Sequence, residues 1–386
     1  MTDVQRQMLD VLRAAMWGDK SSLTEDVDWN AVLEEMSKQA VDGMAADLLP
    51  REQGAKKAEC LRGMCLFLNL IKVQSEAGEI LDKSGIPYVV LKGTSAAVYY
   101  PKPQYRCMGD IDILIAPEQI QKAIEALSGN GFALSDVNPT ERHRTLMKNG
   151  VSLEMHDRFT LEEENARRGG LDRHLTESIL RRETKTVCGH AFPTLPPAEN
   201  GLVFASHIAH HMMNEGIGLR QILDFILFSA AEITDEAWTR EYAALFERYG
   251  LRKIASVVSR MGQLYLGWHP ERNWCREADD ALCLDLLEDV LDNGNFGRSR
   301  DSYREMTFTV MHMSVSEKFK YLRHMQERGE ENWEALKTKP WLKPLAWAYQ
   351  FRLNLEHRCK RSTKADLSGD SEVLRRRKAL AKLFRT

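Results

Sequence analysis

Cysteine is sparse and unpatterned in this chain: seven residues, scattered, with no C-x-x-C pair and an odd total. That argues against a disulfide framework and a Cys-rich zinc site, and for a reducing compartment. Long apolar runs are also lacking. The longest, "MCLFLNLI", is far too short to span a bilayer, so no membrane partner is expected. The first ten residues, "MTDVQRQMLD", are polar and acidic, unlike a signal peptide, and a cytoplasmic protein is expected. No repeat of fixed period is visible. Nor does one sign of charge dominate, since the net charge of −3 excludes a polyanion binder that works through its whole surface. The charge is uneven, however. Residues 351–386 carry eleven Lys/Arg and four Asp/Glu, a net of +7, which leaves −10 on residues 1–350. The terminal "SEVLRRRKALAKLF" lacks the Gly-rich or aromatic-interleaved pattern of a nucleic-acid binder. A solvated face, or one packed on an acidic part of the same chain, is expected ahead of nucleic acid.

What is present fits a soluble globular protein: 43% hydrophobic and 28% charged residues, over a length sufficient for two or three domains. The first 84 residues read as helices. Val4, Met8, Leu9, Leu12 and Met16 share one face, as do Val32, Met36, Ala40 and Met44. A longer helix is predicted over 58–83, stopped at Ser84-Gly85. The period then changes. "PYVVLKG" and "DIDILI" read as strands, with a short helix at 94–100 and a turn forced by Pro101 and Pro103. A helix follows from Pro117. In "HRTLMKNGVSLEMH", Asn149-Gly150 between two β-like runs is a strong hairpin signal. "TKTVCGHAFPTL" gives a last β-like pair, and after Pro196-Pro197 the pattern returns to amphipathic helices. Residues 362–371 read as a loose linker before a basic terminal helix. The expected division is a helical segment (1–84), an α/β core (85–195) and a helical C-terminal domain (196–386).

The chemistry is concentrated in "RCMGDIDILI". Residues two apart in a strand share a face, so Asp110 and Asp112 point one way while Ile111 and Ile113 point to the core. Two close carboxylates repel and raise each other's pKa, and a cation between them removes that penalty. Mg²⁺ suits such a pair, because it takes a few carboxylates and leaves its other positions to water and phosphate. In "VSLEMH", Ser152, Glu154 and His156 form one face. If this strand lies beside the first, Glu154 becomes a third carboxylate, enough for two ions. Upstream, Gly93 permits close approach to a phosphate, Lys92 adds a cation, and Arg106 offers a planar fork suited to phosphate oxygens. His156 could orient a carboxylate, bind phosphate or act as a base. His207, His210 and His211 lack the Glu or Cys that completes a zinc motif, so packing or contact at a cleft rim is preferred for them. Arg220 and Asp224, four apart, are placed for a helix ion pair.

Taken in order, "LKG", "YYPKPQYRCMGDIDILI" and "LEMH" resemble the uncharacterised bacterial nucleotidyltransferases of the polymerase-β-like superfamily. The resemblance is sharpest over residues 88–156 and looser through "HIAHHMMNEGIGLRQILDFILF". It implies an α/β (α+β) fold, a small mixed-sheet core framed by helices. It also implies transfer of a nucleoside monophosphate from a nucleoside triphosphate such as ATP, with pyrophosphate released. Asp110, Asp112 and Glu154 would take the places of the metal-binding acids, for Mg²⁺ or Mn²⁺. Lys92, Gly93, Thr94, Ser95, Arg106 and His156 would handle the nucleotide. The wider superfamily usually has Gly-Ser after the first strand where this chain has Lys92-Gly93 followed by Thr94-Ser95, so either lysine or a neighbouring hydroxyl stands in for that serine or the nucleotide is handled differently. The acceptor leaves no mark in the sequence. Two alternatives are a nucleotide-binding or regulatory module without catalysis, and a toxin-like transferase acting on RNA.

Overall fold

The computed structural model describes residues 1–21, 23, 26–135, 143–160, 170–214 and 216–295, with scattered positions between 323 and 383. The expected linker at 362–371 lies outside the described residues. Helix α1 (Asp3–Trp17) opens with a capping box: the Gln5 N–H donates to Thr2 Oγ1 at 3.2 Å, and the Thr2 N–H donates to Gln5 Oε1 at 2.8 Å. Helix α2 (Trp29–Lys38) stops earlier than its apolar spacing suggests, because Ala40 takes φ 56° and Met44 falls in a separate 3₁₀ turn. Helix α3 (Gly54–Lys83) ends at Ser84, with Gly85 at φ 65°.

The strands are β1 (Tyr88–Leu91), β2 (Asp110–Ile115), β3 (Ala133–Leu134), β4 (His143–Lys148), β5 (Val151–His156), β6 (Glu183–Val187) and β7 (His190–Thr194). Among the described residues they form one seven-stranded mixed sheet in the order β3-β4-β5-β2-β1-β7-β6. Pairing is antiparallel except for β2 with β5 and β1 with β7. Asn149 and Gly150 join β4 to β5 with φ 51° and 74°, the pair of positive values that a two-residue primed turn needs.

Period-two alternation assigns each strand residue to one of two apolar layers. Ile111, Ile113 and Ile115, with Val151, Leu153 and Met155, pack against Phe67, Leu70, Ile71 and Leu81 of α3 and against Leu127 of α5 (Ile120–Ser128). Val89, Leu91 and Leu114 face the opposite layer. That layer is built by α7 (Pro197–Asn214), α8 (Leu219–Glu232), α10 (Arg252–Tyr265) and α11 (Asp280–Asn293). Helices α4 (Gly93–Ala97), α6 (Leu171–Ser178) and α9 (Ala243–Arg248) complete the numbering. Met8, Leu12, Val32 and Met36 of the N-terminal helices join this same layer. Gln39, fully buried, ties the two ends together. Its amide donates to the carbonyls of Val290 and Leu291 at 3.2 Å, and its oxygen accepts from the Leu219 N–H at 3.0 Å. It thereby satisfies one of the open donors at the start of α8.

Of the basic terminal segment, Arg375 pairs with Asp285, and Arg376 with Glu288 and Asp292, all three acids on α11. These cations face an acidic part of the same chain. No helix among the described residues is long and apolar enough to cross a membrane.

Because β5 separates its two faces so cleanly, adjacent residues should respond differently. Leu153→Ala should cost about 2–5 kcal/mol in urea denaturation, the range for emptying a buried leucine site. Ser152→Ala, on the half-buried face, should stay within about 0.5 kcal/mol.

Candidate active site

The face of β2 that carries Asp110, Asp112 and Leu114 changes character along its length. Leu114 is in the apolar layer, Asp112 stands at its border and Asp110 is exposed. Strand β1 runs antiparallel beside it, with Leu91 opposite Asp112. Lys92 follows directly. Its backbone turns at φ 45° and ψ −134°, a conformation that costs a non-glycine residue about 1–3 kcal/mol. The turn returns the side chain along the sheet, and Nζ lies 2.9 Å from Asp112 Oδ1. Gly93 continues at φ 34°. A Cβ there would approach only the mobile end of Met108, its methyl at 2.9 Å, so it is the backbone that calls for glycine.

On the other side of β2, parallel pairing places Glu154 opposite Asp112 and Ser152 opposite Asp110. The expected adjacency of the two strands is therefore realised, with Glu154 on the same face as Asp112. His156 Nε2 lies 2.9 Å from Asp112 Oδ1 and 3.6 Å from Glu154 Oε2. Asp112 is only 4% exposed, where the sequence suggested an open face. The physical reason is the covering layer of C-terminal helices. Burial opposes ionisation of Asp112, but Lys92 and His156 outweigh it and hold the carboxyl well below the usual range.

Arg106, Thr94 and Ser95, expected to handle the nucleotide, each have a partner within the protein. The Arg106 fork, expected to face phosphate, is buried and closed on Asp224, with Nε to Oδ1 at 2.8 Å and Nη2 to Oδ2 at 2.6 Å. Tyr100 Oη donates to the same carboxylate at 2.7 Å. The Thr94 hydroxyl, buried, donates to Gln74 of α3 at 2.8 Å. The Ser95 hydroxyl, also buried, points to Asn200 Oδ1 of α7 at 3.4 Å. These groups fix the β1–α4 turn to its neighbours. Arg106 holds the Asp224 carboxylate in a two-bonded fork, and Arg220, four residues before Asp224, donates to the Cys107 carbonyl at 3.1 Å.

Helices α7 and α8 bring further groups to this face that the sequence reading set at the rim. His207 and His211 stand Nε2 to Nε2 at 2.8 Å. Burial, and then the positive charge of Lys92, push His207 well below its ordinary value, so it is neutral. Burial, and then Arg106, lower Arg220, while Asp224, Cys107 and Asp110 oppose that shift. Lys92 and Asp110 thus lie within electrostatic reach of the helices. His143 was not singled out in the sequence. It sits opposite His156 in the β4–β5 ladder, 3.8 Å from Glu154 Oε2.

The family model described as "uncharacterised nucleotidyltransferase" matches residues 25–267, more than half of the chain, and the protein belongs to that family. The matched span takes in helices on both sides of the sheet as well as the strands. Among solved structures, the chain is similar to an antigenic nucleotidyltransferase-like protein from Paracoccidioides brasiliensis. Identity is 17% and the TM-score 0.31, over 46% of this chain and 85% of that one. No curated protein matches.

Removing Asp224 would leave a buried guanidinium without its counter-charge. Asp224→Ala should therefore lose about 3–5 kcal/mol of stability, read by chemical denaturation. The pH dependence has a definite sign. Asp112 titrates lower folded than unfolded, so its contribution is whole above about pH 4 and is lost as the pH falls through the folded value. His207 adds a second loss at higher pH. Below about pH 6.5 the unfolded chain takes up a proton there that the folded chain refuses. Urea midpoints should fall between about pH 7 and 5, and His207→Gln should flatten that fall.

Proposed function

We propose that this protein is a metal-dependent nucleotidyltransferase that moves a nucleoside monophosphate from a nucleoside triphosphate to an acceptor. The observation that carries the reading is the facing register of Asp112 and Glu154, with Lys92 seated on Asp112 at the end of the neighbouring strand. The donors are of the kind a hard divalent cation takes, but among the described residues the donor atoms within 4.8 Å of one another are those of His143, Glu154 and His156, so the three acids would have to draw together around the ion. Asp110, Asp112 and Glu154 offer carboxylate oxygens on one face of two paired strands. Lys92 already places a positive charge against Asp112, so this carboxylate is built to meet a cation. Bound Mg²⁺ or Mn²⁺ would offset the triphosphate charge and make an acceptor hydroxyl more acidic.

The reaction is a displacement in which the acceptor oxygen bonds to the α-phosphorus. The bond to the bridging oxygen breaks, pyrophosphate leaves, and the hydroxyl proton passes to solvent or a base. Among the described residues, Lys92 is well placed to balance phosphate charge, since it can exchange Asp112 for a phosphate oxygen. His156 orients the Asp112 carboxylate. His207, neutral, adds no further charge beside Lys92. Residues 85–195 would carry the chemistry, and α7 and α8 would form the wall that the acceptor meets.

One observation favours a second reading. Thr94, Ser95 and Arg106 are all committed to internal partners, which leaves fewer groups for the triphosphate and suits nucleotide binding without turnover. The pairing of Arg375 and Arg376 with α11 weighs against RNA as the partner.

Asp110 is exposed, so its amide variant should fold normally. Asp110→Asn should lower triphosphate-dependent pyrophosphate release by at least about 100-fold, with its denaturation midpoint unchanged. In the wild type, chelation by EDTA should abolish release and added Mg²⁺ should restore it. Nucleotide-induced stabilisation without release, across a broad panel of acceptors, would establish the binding module instead.

A further inference from the structure

The two-residue turn at Asn149-Gly150 fixes how β4 meets β5. Lys148 pairs with Val151, and counting outward places Thr145 opposite Glu154 and His143 opposite His156. Cross-strand partners share a face. The two imidazoles therefore lie side by side, with ring centroids 5.2 Å apart and planes tilted by 49°. Glu154 lies between them. Its Oε2 is 3.8 Å from His143 Nε2 and 3.6 Å from His156 Nε2, and one donor atom from each of the three residues lies within 4.8 Å of the others. All three side chains are half-buried.

We propose that His143, Glu154 and His156 form a binding site for a transition-metal dication, of the class of Mn²⁺, Co²⁺ or Zn²⁺, which takes such an ion in preference to Mg²⁺. Metal–donor bonds of about 2.1 Å set tetrahedral donors about 3.4 Å apart. Both separations from Glu154 are within a few tenths of an ångström of that spacing, and the two imidazole donors, within 4.8 Å of one another, have to draw together to close the site. Two nitrogens and one oxygen, with positions left for water or phosphate, match imidazole-binding metals. Mg²⁺ prefers oxygen and gives up its water reluctantly.

The triad is linked to the aspartates through one atom. His156 Nε2 also lies 2.9 Å from Asp112 Oδ1. An ion on that nitrogen takes it away from Asp112, whose Oδ1 then keeps Lys92 as its partner. Occupancy of the triad therefore changes the surroundings of Asp112. The inference rests on the proposed transferase reading only in sharing Glu154, and the two can fail separately.

The test uses the full chain stripped of metal. Titration with Co²⁺, followed by its visible d–d absorption, should show binding at least about tenfold tighter than Mg²⁺ in competition. His143→Gln should weaken Co²⁺ by about tenfold or more and leave Mg²⁺ within about twofold. Pulsed EPR of the Mn²⁺-loaded wild type, which needs no variant to fold, should show nitrogen hyperfine coupling. Absent nitrogen coupling, or undiminished Co²⁺ affinity in His143→Gln, overturns the inference. Nitrogen coupling with no pyrophosphate release from any triphosphate leaves the site standing and removes the transferase reading. Mg²⁺-supported release without nitrogen coupling does the reverse.

Discussion

The parallel pairing of β2 with β5 sets Asp112 beside Glu154, and the site follows from that register. A slip of one residue would turn Glu154 into the layer under α3 and bring Leu153 to the polar face. The apolar sides of both strands prevent it. Leu153 and Met155, both fully buried, would have to leave the layer they share with Ile111 and Ile113 and face the helices of the other layer. The same burial that defines the core thus places the charges.

A carboxylate at the edge of an apolar layer is stable only with partners, and Asp112 has two. Lys92 reaches it through a strained turn and His156 across the parallel strand. The strain at Lys92 is sustained because its neighbours are anchored. Gly93 lies beneath Met108, Thr94 is tied to α3 and Ser95 to α7. Arg106, Asp224 and Tyr100 form a second buried clamp that holds the approach to β2 against α8. The cationic turn and the acidic strand are each fixed to the helices, so the polar face is preorganised rather than assembled on demand.

Much of this was legible in the sequence, for identifiable reasons. Alternation in "DIDILI" and "VSLEMH" gives the faces, and Asn149-Gly150 gives the hairpin, because both depend on neighbours a few residues away. The partners of Arg106, Thr94 and Ser95 were not legible. Asp224 lies 118 residues from Arg106 and Asn200 lies 105 from Ser95, and no local period encodes such contacts. Asp224 looked like the helix partner of Arg220, yet a bidentate fork from another element holds it. The burial of Asp112 was missed because β2 alone does not reveal that helices cover its second face. His143 is a different case. Its place opposite His156 follows from the hairpin turn by counting and needs no tertiary information.

The central claim is that the Lys92–Asp112 contact marks where a metal–triphosphate is received. The direct measurement is a crystal structure of the protein with Mg²⁺ and a non-hydrolysable nucleoside triphosphate. The expected result is an ion bound by Asp110 and Asp112 oxygens, with Lys92 Nζ moved from Asp112 onto a phosphate oxygen. A triphosphate bound elsewhere, with the ion pair between Lys92 and Asp112 still closed, would contradict it.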